Sequence, residues 1–216
     1  MIKISQKAKY KTVKHRASKL LVEKKSKFIA SVSPADSEEE ALEFLKEIKS
    51  KYPDATHNVY AYIIDENNIF RYSDDGEPGG TAGMPVLDTI RKEGLVDVCV
   101  VVTRYFGGTL LGTGGLVHAY GTSAKQGLYE ADIITRALCN VICVKVDYTM
   151  SGKIQHMIST KNLITDDIVY GDDVTYYIYS MLDETEKLIK EITELTYGRA
   201  NLTVTEQKYI DLKGID

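Results

Sequence analysis

The 216-residue sequence contains no tryptophan, only four prolines and only three cysteines. It has no apolar run as long as a membrane span, and residues 1–7 lack the apolar core of a signal peptide. Cys99, Cys139 and Cys143 each lie among valines and isoleucines, and no second Cys or His pair stands near them to complete a zinc site. We therefore expect a soluble, cytoplasmic protein with reduced core thiols, without a metal or a cofactor.

The composition is otherwise that of a globular protein, with 44% hydrophobic and 27% charged residues, enough for one large or two small domains. The net charge of −4 hides a separation of charge. Residues 1–27 hold ten Lys/Arg and one acid. Residues 28–137 hold nine Lys/Arg and 17 acids, and residues 138–216 hold eight Lys/Arg and 13 acids. A basic N-terminal segment on an acidic body indicates either a polyanion contact or a solvated pair of strands whose lysines protect exposed sheet edges.

The first 136 residues read as an α+β domain. Hydrophobic patterning predicts strands at 10–14, 19–23, 27–33, 56–64, 69–72 and 96–103. Ser37 followed by Glu40 is a capping box, and it opens a helix that places apolar residues on one face, namely Ala41, Phe44, Leu45 and Ile48. Two further helices are predicted, one capped by Thr81 and ending near residue 93, the other over 116–130.

After residue 136 the pattern starts again. It predicts a strand at 137–148, a helix at 151–160, a hairpin of 167–170 and 175–181, a helix opened by residues 183–186, and a last strand at 201–206. This β-α-β-β-α-β order is the ferredoxin-like plan. We therefore predict two domains, 1–136 and 137–216.

Glycine is concentrated in one segment, since eleven of the 16 glycines lie between Gly76 and Gly121. Residues 107–115 follow a buried strand and are predicted to form a loop that leads into a helix. Backbone N–H groups in such a loop make an anion site. The phosphate-binding and dinucleotide-binding signatures are both absent, so a close-packed structural turn is the alternative.

Polar residues lie on and around this segment. Asp74, Asp75 and Glu77 either hold Mg²⁺ or build a turn ahead of a helix. Arg104, placed just past a predicted strand, has the fork that matches phosphate oxygens. The remaining isolated candidates are His57, Tyr105, His118 and Lys125. No complete catalytic set can be assembled from them, so we do not predict catalysis.

Two long motifs carry a family resemblance. Residues 71–85 (RYSDDGEPGGTAGMP) and residues 103–116 (TRYFGGTLLGTGGL) resemble the two signatures of the IMPACT family, whose bacterial members are called YigZ proteins. Residues 56–62 (THNVYAY) and 121–125 (GTSAK) match flanking features. The resemblance implies a first domain similar to domain 2 of ribosomal protein S5 and a second domain similar to ferredoxin-like domains of elongation factor G.

The resemblance also implies a role in translation, because the eukaryotic family name is tied to translational control during amino-acid starvation. We expect a regulator that binds RNA or the ribosome. A Mg²⁺-dependent enzyme acting on a phosphorylated small molecule or nucleotide, and a protein-interaction module, are the alternatives. The predicted binding residues are His57, Arg71, Asp74, Asp75, Glu77, Arg104, Tyr105, Gly107, Gly108, Gly112, Gly114, Gly115 and Lys125. Phosphate contact is assigned to Arg71, Arg104 and Lys125, and backbone anion binding to the glycines.

Overall fold

The computed structural model describes residues 7–212, which contain ten strands and five α-helices. In chain order these elements are β1 (Lys9–Val13), β2 (Ala17–Glu23), β3 (Ser26–Pro34), α1 (Glu38–Lys51), β4 (His57–Ile64), β5 (Ile69–Ser73), α2 (Gly83–Lys92), β6 (Val98–Tyr105), α3 (Gly112–Glu130), β7 (Ile133–Val146), α4 (Tyr148–Lys161), β8 (Thr165–Tyr170), β9 (Val174–Met181), α5 (Thr185–Leu195) and β10 (Asn201–Leu212). They fall into two compact units. Among the described residues, the first comprises 10–135 and the second comprises 7–9 and 136–212.

The first unit is built on a five-stranded antiparallel sheet in the order β2-β3-β6-β4-β5. Its central strand, β6, is buried along nearly its whole length, as its run of β-branched residues predicts. Helices cover both faces. The side chains of α2 and α3 pack on the face that carries Phe28, Val59 and Val102, whereas α1 packs on the face that carries Tyr62 and Val101.

The second unit contains the strand order β7-β9-β8, and β10 pairs with β7. Helices α4 and α5 pack on one face, where Ile142, Tyr176 and Ile178 form a core with Ile154 and Ile192. The β-α-β-β-α-β order confirms the predicted ferredoxin-like plan and the α+β class. None of the helices within residues 7–212 is long and apolar enough to cross a membrane.

The residues that cap the first two helices lie at different distances from the helix start in the sequence. At α1 the predicted cap is confirmed, because the Ser37 side chain accepts a hydrogen bond from the Glu40 N–H at 3.2 Å. At α2 the prediction that Thr81 is the cap is wrong. The Thr81 hydroxyl donates to the Pro78 carbonyl at 2.7 Å, and the start of α2 is instead held by Asp74, eight residues before Ala82 in the chain.

Two predicted boundaries around the glycine-rich segment are also corrected. Strand β6 continues to Tyr105, because β3 pairs with it up to Tyr105 and β4 pairs with it up to Arg104, so Arg104 lies inside the strand and is buried. Helix α3 begins at Gly112 and not near residue 116, so Gly112, Gly114 and Gly115 form its first turn. Glycine is unfavourable in a helix but does not prevent one from forming. The apolar residues of the later turns of α3 pack in the core, and this packing stabilises the helix as far back as Gly112.

Candidate nucleic-acid interface

A buried polar network lies between the end of β6 and the two helices beside it. Arg104 and Glu77 form an ion pair, and their side chains are only 6% and 4% exposed. The Tyr120 hydroxyl donates to the same Glu77 oxygen at 2.7 Å. Burial first, and then this hydrogen bond to Glu77, raise the pKa of Tyr120 above its ordinary value. Tyr120 is therefore a protonated donor to the Glu77 carboxylate.

His57 and Asp75 extend this network to the loop after β5. The Nε2 atom of His57 lies 3.8 Å from the Glu77 carboxylate, and its Nδ1 atom lies 2.8 Å from the Asp75 carbonyl oxygen. The Asp75 carboxylate accepts from the Asn58 N–H at 2.6 Å and from the Lys49 ammonium at 3.3 Å. These contacts tie the loop to β4 and α1, and they hold Asp75 in a left-handed conformation with φ of 45°.

The three carboxylates of this loop are all engaged by protein groups. Asp74 accepts from three backbone N–H groups at the start of α2, those of Gly80, Ala82 and Gly83, at 2.8 to 3.0 Å. Asp75 and Glu77 have the partners given above. Within residues 7–212 no group of three or more His, Cys, Asp or Glu side chains is placed to hold a metal ion. This bonding favours a loop-ordering role for the carboxylates over a cation site.

Two aromatic rings contact the Arg104 guanidinium. Its central carbon lies 5.4 Å from the ring centroid of Phe28, which is fully buried, and 5.6 Å from that of Phe106, which is 46% exposed. Register explains the first contact, since Phe28 and Arg104 are paired on β3 and β6. The guanidinium therefore links the core to an aromatic ring at the surface.

The hairpin turn between β2 and β3 lies directly against the loop after β6. Gly107 donates from its N–H to the Ser26 hydroxyl at 3.1 Å, and a Cβ atom on Gly107 would lie 2.1 Å from the Lys25 carbonyl carbon. Only glycine fits such an approach of two backbones. We call Lys24, Lys25, Lys27, Phe106, Gly107 and Gly108 the turn–loop surface.

The structure brings some of the predicted residues together and separates others. His57, Asp75, Glu77 and Arg104 share the buried network, and Gly107 and Gly108 belong to the turn–loop surface. Tyr105 points to the other face of β6, and its hydroxyl donates to Asp54 at 2.9 Å. Gly112 and Gly114 are exposed and Gly115 is half-buried, in the first turn of α3.

The two other predicted phosphate contacts lie on different elements. Arg71 is exposed on the edge strand β5, 3.7 Å from Glu38. Lys125 lies on α3, 3.5 Å from Glu93, and lines a cavity of about 340 Å³ between α2 and α3. Among the described residues, no hydrogen bond or ion pair joins Arg71 or Lys125 to the Arg104 network.

Sequence reasoning did not select Lys24, Lys25, Phe106 or Tyr120. A signal for the lysines was present, because two strand patterns separated by a short polar stretch predict a tight hairpin with special turn residues. Phe106 lies inside the second glycine motif but was not assigned a role. Tyr120 carried no local signal, since a tyrosine on the apolar face of a helix is usually a core residue.

The family follows from comparison with known proteins. A model of the Impact N-terminal domain matches residues 24–128, and a model of a domain of unknown function, DUF1949, matches residues 144–199. IMPACT family member YvyE of Bacillus subtilis is 40% identical over 203 residues, which are 94% of this chain and 94% of that protein. The chain belongs to the IMPACT family.

Other relatives agree with this assignment. IMPACT family member YigZ of Escherichia coli is 44% identical over 110 residues, covering 50% of this chain and 54% of that protein. A solved structure described as a crystal structure of an hypothetical protein is 27% identical and covers 93% of this chain and 98% of its own, with a TM-score of 0.58. The IMPACT architecture, an S5 domain 2-like unit followed by a ferredoxin-like unit, is thus confirmed, and the Impact N-terminal match includes the whole turn–loop surface.

Proposed function

We propose that this IMPACT family protein is an RNA- or ribosome-associated regulator of translation, and that it contacts RNA phosphates through the turn–loop surface. The observation that carries the proposal is the backbone of Lys24 and Lys25. Both have positive φ, 44° and 68°, in a two-residue turn closed by the pair Glu23 and Ser26. Positive φ at both positions defines the type I′ turn, in which Asn-Gly is strongly preferred.

Lysine at both turn positions is unfavourable for the fold. A residue with a Cβ atom in the left-handed region costs about 1 to 2 kcal/mol relative to glycine. Strained residues of this kind concentrate at functional sites, where their side chains serve a purpose other than stability. Here the side chains supply charge, because Lys24, Lys25 and Lys27 are exposed and form no ion pair with any residue between 7 and 212.

The surroundings of these lysines suit a polyanion. Gly107 and Gly108 leave the adjoining loop without bulky side chains, and a Cβ on Gly108 would meet no atom within 4 Å. A phosphate backbone can therefore approach the loop closely. The family resemblance supports translation as the setting, and the N–H groups of Gly112 and Gly114, two exposed residues in the first turn of α3, remain proposed anion contacts.

In this proposal Arg104 supports the loop, whereas its position in the sequence predicted a direct contact with phosphate. Its guanidinium is buried and paired with Glu77, so phosphates meet the exposed lysines first. We assign Arg104 and its partners, His57 and Glu77, to the support of the loop. Arg71 and Lys125 stay in the proposed site as peripheral contacts, each already beside an acid.

The test is a variant that restores the preferred turn and removes the charge. Lys24→Asn/Lys25→Gly relieves two strained residues, so we expect the free energy of unfolding to rise by about 1 kcal/mol. Binding of a fluorescein-labelled single-stranded RNA of about 12 nucleotides is measured by fluorescence anisotropy at about 50 and 200 mM salt. We expect the variant to bind about fivefold or more weakly at the lower salt, because two phosphate contacts are lost.

The matched control is Lys46→Gln/Lys51→Gln, which removes two exposed charges from α1. It changes the net charge by the same amount and should leave RNA affinity within about twofold of the wild type. Equal losses in the two variants would indicate attraction by overall charge alone. No RNA binding by the wild type at the lower salt would end the proposal.

A further inference from the structure

Phe106 is an exposed aromatic ring with a fixed position. Its side chain is 46% exposed, and the Arg104 guanidinium lies over the ring, 5.6 Å from its centroid. That guanidinium cannot move freely, because it is paired with Glu77 and also packs on the buried ring of Phe28. The Phe106 N–H is held as well, donating to the Thr56 hydroxyl at 3.1 Å.

This arrangement leaves part of the ring available for stacking by another planar group. One face is occupied by the cation, and the two residues that follow, Gly107 and Gly108, have no side chains to cover the rest. Preorganised rings bind planar partners with less loss of side-chain freedom than mobile ones. The ring therefore has the properties of a stacking platform.

A second exposed phenylalanine provides the comparison. Phe70 is 45% exposed, and the guanidinium of Arg91 lies 4.6 Å from its ring centroid. It differs from Phe106 in its place, because it lies on β5, at the edge of the sheet opposite to β2 and its lysine turn. Only Phe106 combines a supported ring with the exposed charges of Lys24 and Lys25.

We propose that Phe106 stacks an unpaired RNA base, so that the preferred ligand of the turn–loop surface is single-stranded RNA. This inference rests on the proposed function, since the lysines must hold the neighbouring phosphates. The faces of bases inside an A-form duplex are hidden by their neighbours, whereas those of single strands, loops and bulges are open to aromatic side chains. A nucleobase is favoured over an aromatic side chain of a protein because the surrounding side chains are cations that attract phosphate.

The experiment uses the full chain and compares two phenylalanine variants. Phe106→Leu removes the stacking ring, and Phe70→Leu removes a ring of equal exposure that also packs on an arginine. Binding is measured by anisotropy with a labelled single-stranded RNA of about 12 nucleotides and with a duplex of the same length. A strand with a central 2-aminopurine gives a second readout, because the fluorescence of this base falls when it stacks.

The inference predicts a loss of affinity that occurs only in Phe106→Leu and only for single-stranded RNA. Phe106→Leu should bind the single strand about fivefold or more weakly than the wild type and should abolish the quenching of 2-aminopurine, with little change for the duplex. Phe70→Leu should match the wild type in all three measurements. Circular dichroism melting curves of both variants confirm that each is folded.

Three other outcomes would overturn the inference. If Phe106→Leu binds single strands like the wild type while Lys24→Asn/Lys25→Gly does not, the surface holds phosphates alone, and the proposed function stands without a base contact. If the wild type binds no RNA at all, the proposed function itself fails. If purified ribosomes bind in a Phe106-dependent way but free single-stranded RNA does not, the ring does not recognise an unpaired base by itself, and the inference fails.

Discussion

Glu77 and Arg104 form an ion pair whose two side chains are almost fully buried, and each charge depends on the other. A buried ion pair stabilises the folded state little more than a well-packed apolar pair would, because burial removes the hydration of both charges. Removal of one partner is different, since it leaves the other charge buried without compensation. The Tyr120 hydroxyl and the more distant His57 cannot replace the Arg104 guanidinium.

Arg104→Met is therefore expected to lower the free energy of unfolding by about 3 to 5 kcal/mol, measured by urea denaturation. The control is Lys19→Met, which breaks a half-exposed ion pair with Glu130 at 2.8 Å and should cost at most about 1 kcal/mol. Adding Glu77→Leu to Arg104→Met should recover part of the loss, because the stranded carboxylate is removed. A loss below about 1 kcal/mol for Arg104→Met would contradict the structure of this network.

Tyr120 makes the free energy of unfolding depend on pH. Its pKa is raised in the folded state by burial and by Glu77, whereas in the unfolded chain it is the ordinary value of about 10. Above pH 10 the unfolded chain therefore binds fewer protons than the folded one, and the free energy of unfolding falls as pH rises. One such group contributes a slope of up to about 1.4 kcal/mol per pH unit.

Tyr120→Phe should reduce this decline, measured as the free energy of unfolding in urea between about pH 9 and pH 11. Part of the decline should stay, because burial also raises the pKa of the Cys99 thiol to about 12. Tyr170→Phe, which removes a hydroxyl from a side chain that is 61% exposed, is the control and should keep the wild-type slope. An unchanged slope in Tyr120→Phe would show that its hydroxyl ionises as easily in the folded state.

At the scale of elements, local patterns predicted those features that depend on neighbouring residues. The cap of α1 followed from Ser37 and Glu40, and the burial of β6 followed from its β-branched run. The cap of α2 was missed because Asp74 lies eight residues before Ala82, beyond the spacing of a capping box, and the start of α3 was missed because its packing involves residues distant in the sequence. The boundary between domains 1–136 and 137–216 stays a prediction.

The candidate site was predictable only in part, for the same reason. The glycine motifs lie in the same part of the chain as the buried network, but Glu77 bonds to Arg104, which is 27 residues away in the sequence, and to Tyr120, which is 43 residues away. Separations of this length leave no periodic pattern in the sequence. The strain in the lysine turn likewise could not be predicted from the sequence, because it depends on the positive φ angles of Lys24 and Lys25.

Gly107 joins two elements, the β2–β3 turn and the loop after β6. Gly107→Ala should lower the free energy of unfolding by about 1 to 3 kcal/mol, because the new methyl group would overlap the Lys25 backbone. Gly114→Ala is the matched control in the first turn of α3, where a Cβ meets no atom within 4 Å, and it should leave stability unchanged or raise it by up to about 1 kcal/mol. Equal urea midpoints for the two variants would contradict the close packing of turn and loop.

At the scale of the whole molecule, charge distribution matters more than net charge. The chain carries −4 overall, yet ten of its 27 basic residues lie within residues 1–27. At physiological ionic strength the screening length is about 8 Å, so an RNA bound at the turn–loop surface responds to nearby charges and little to distant acids. An acidic protein can therefore bind a polyanion, provided that the contact is local.

The number of contacts then sets the salt dependence of binding. With Lys24, Lys25 and Lys27 as the phosphate contacts, the slope of log affinity against log salt for a single strand should be about −2, since each contact contributes about −0.7. Lys24→Asn/Lys25→Gly should reduce the slope to about −0.7, and the α1 control Lys46→Gln/Lys51→Gln should keep the wild-type value. Anisotropy titrations at four or more salt concentrations measure these slopes. A wild-type slope of about −5 would mean that many more cations touch the RNA, and it would move the main contact from the turn–loop surface to the wider basic segment.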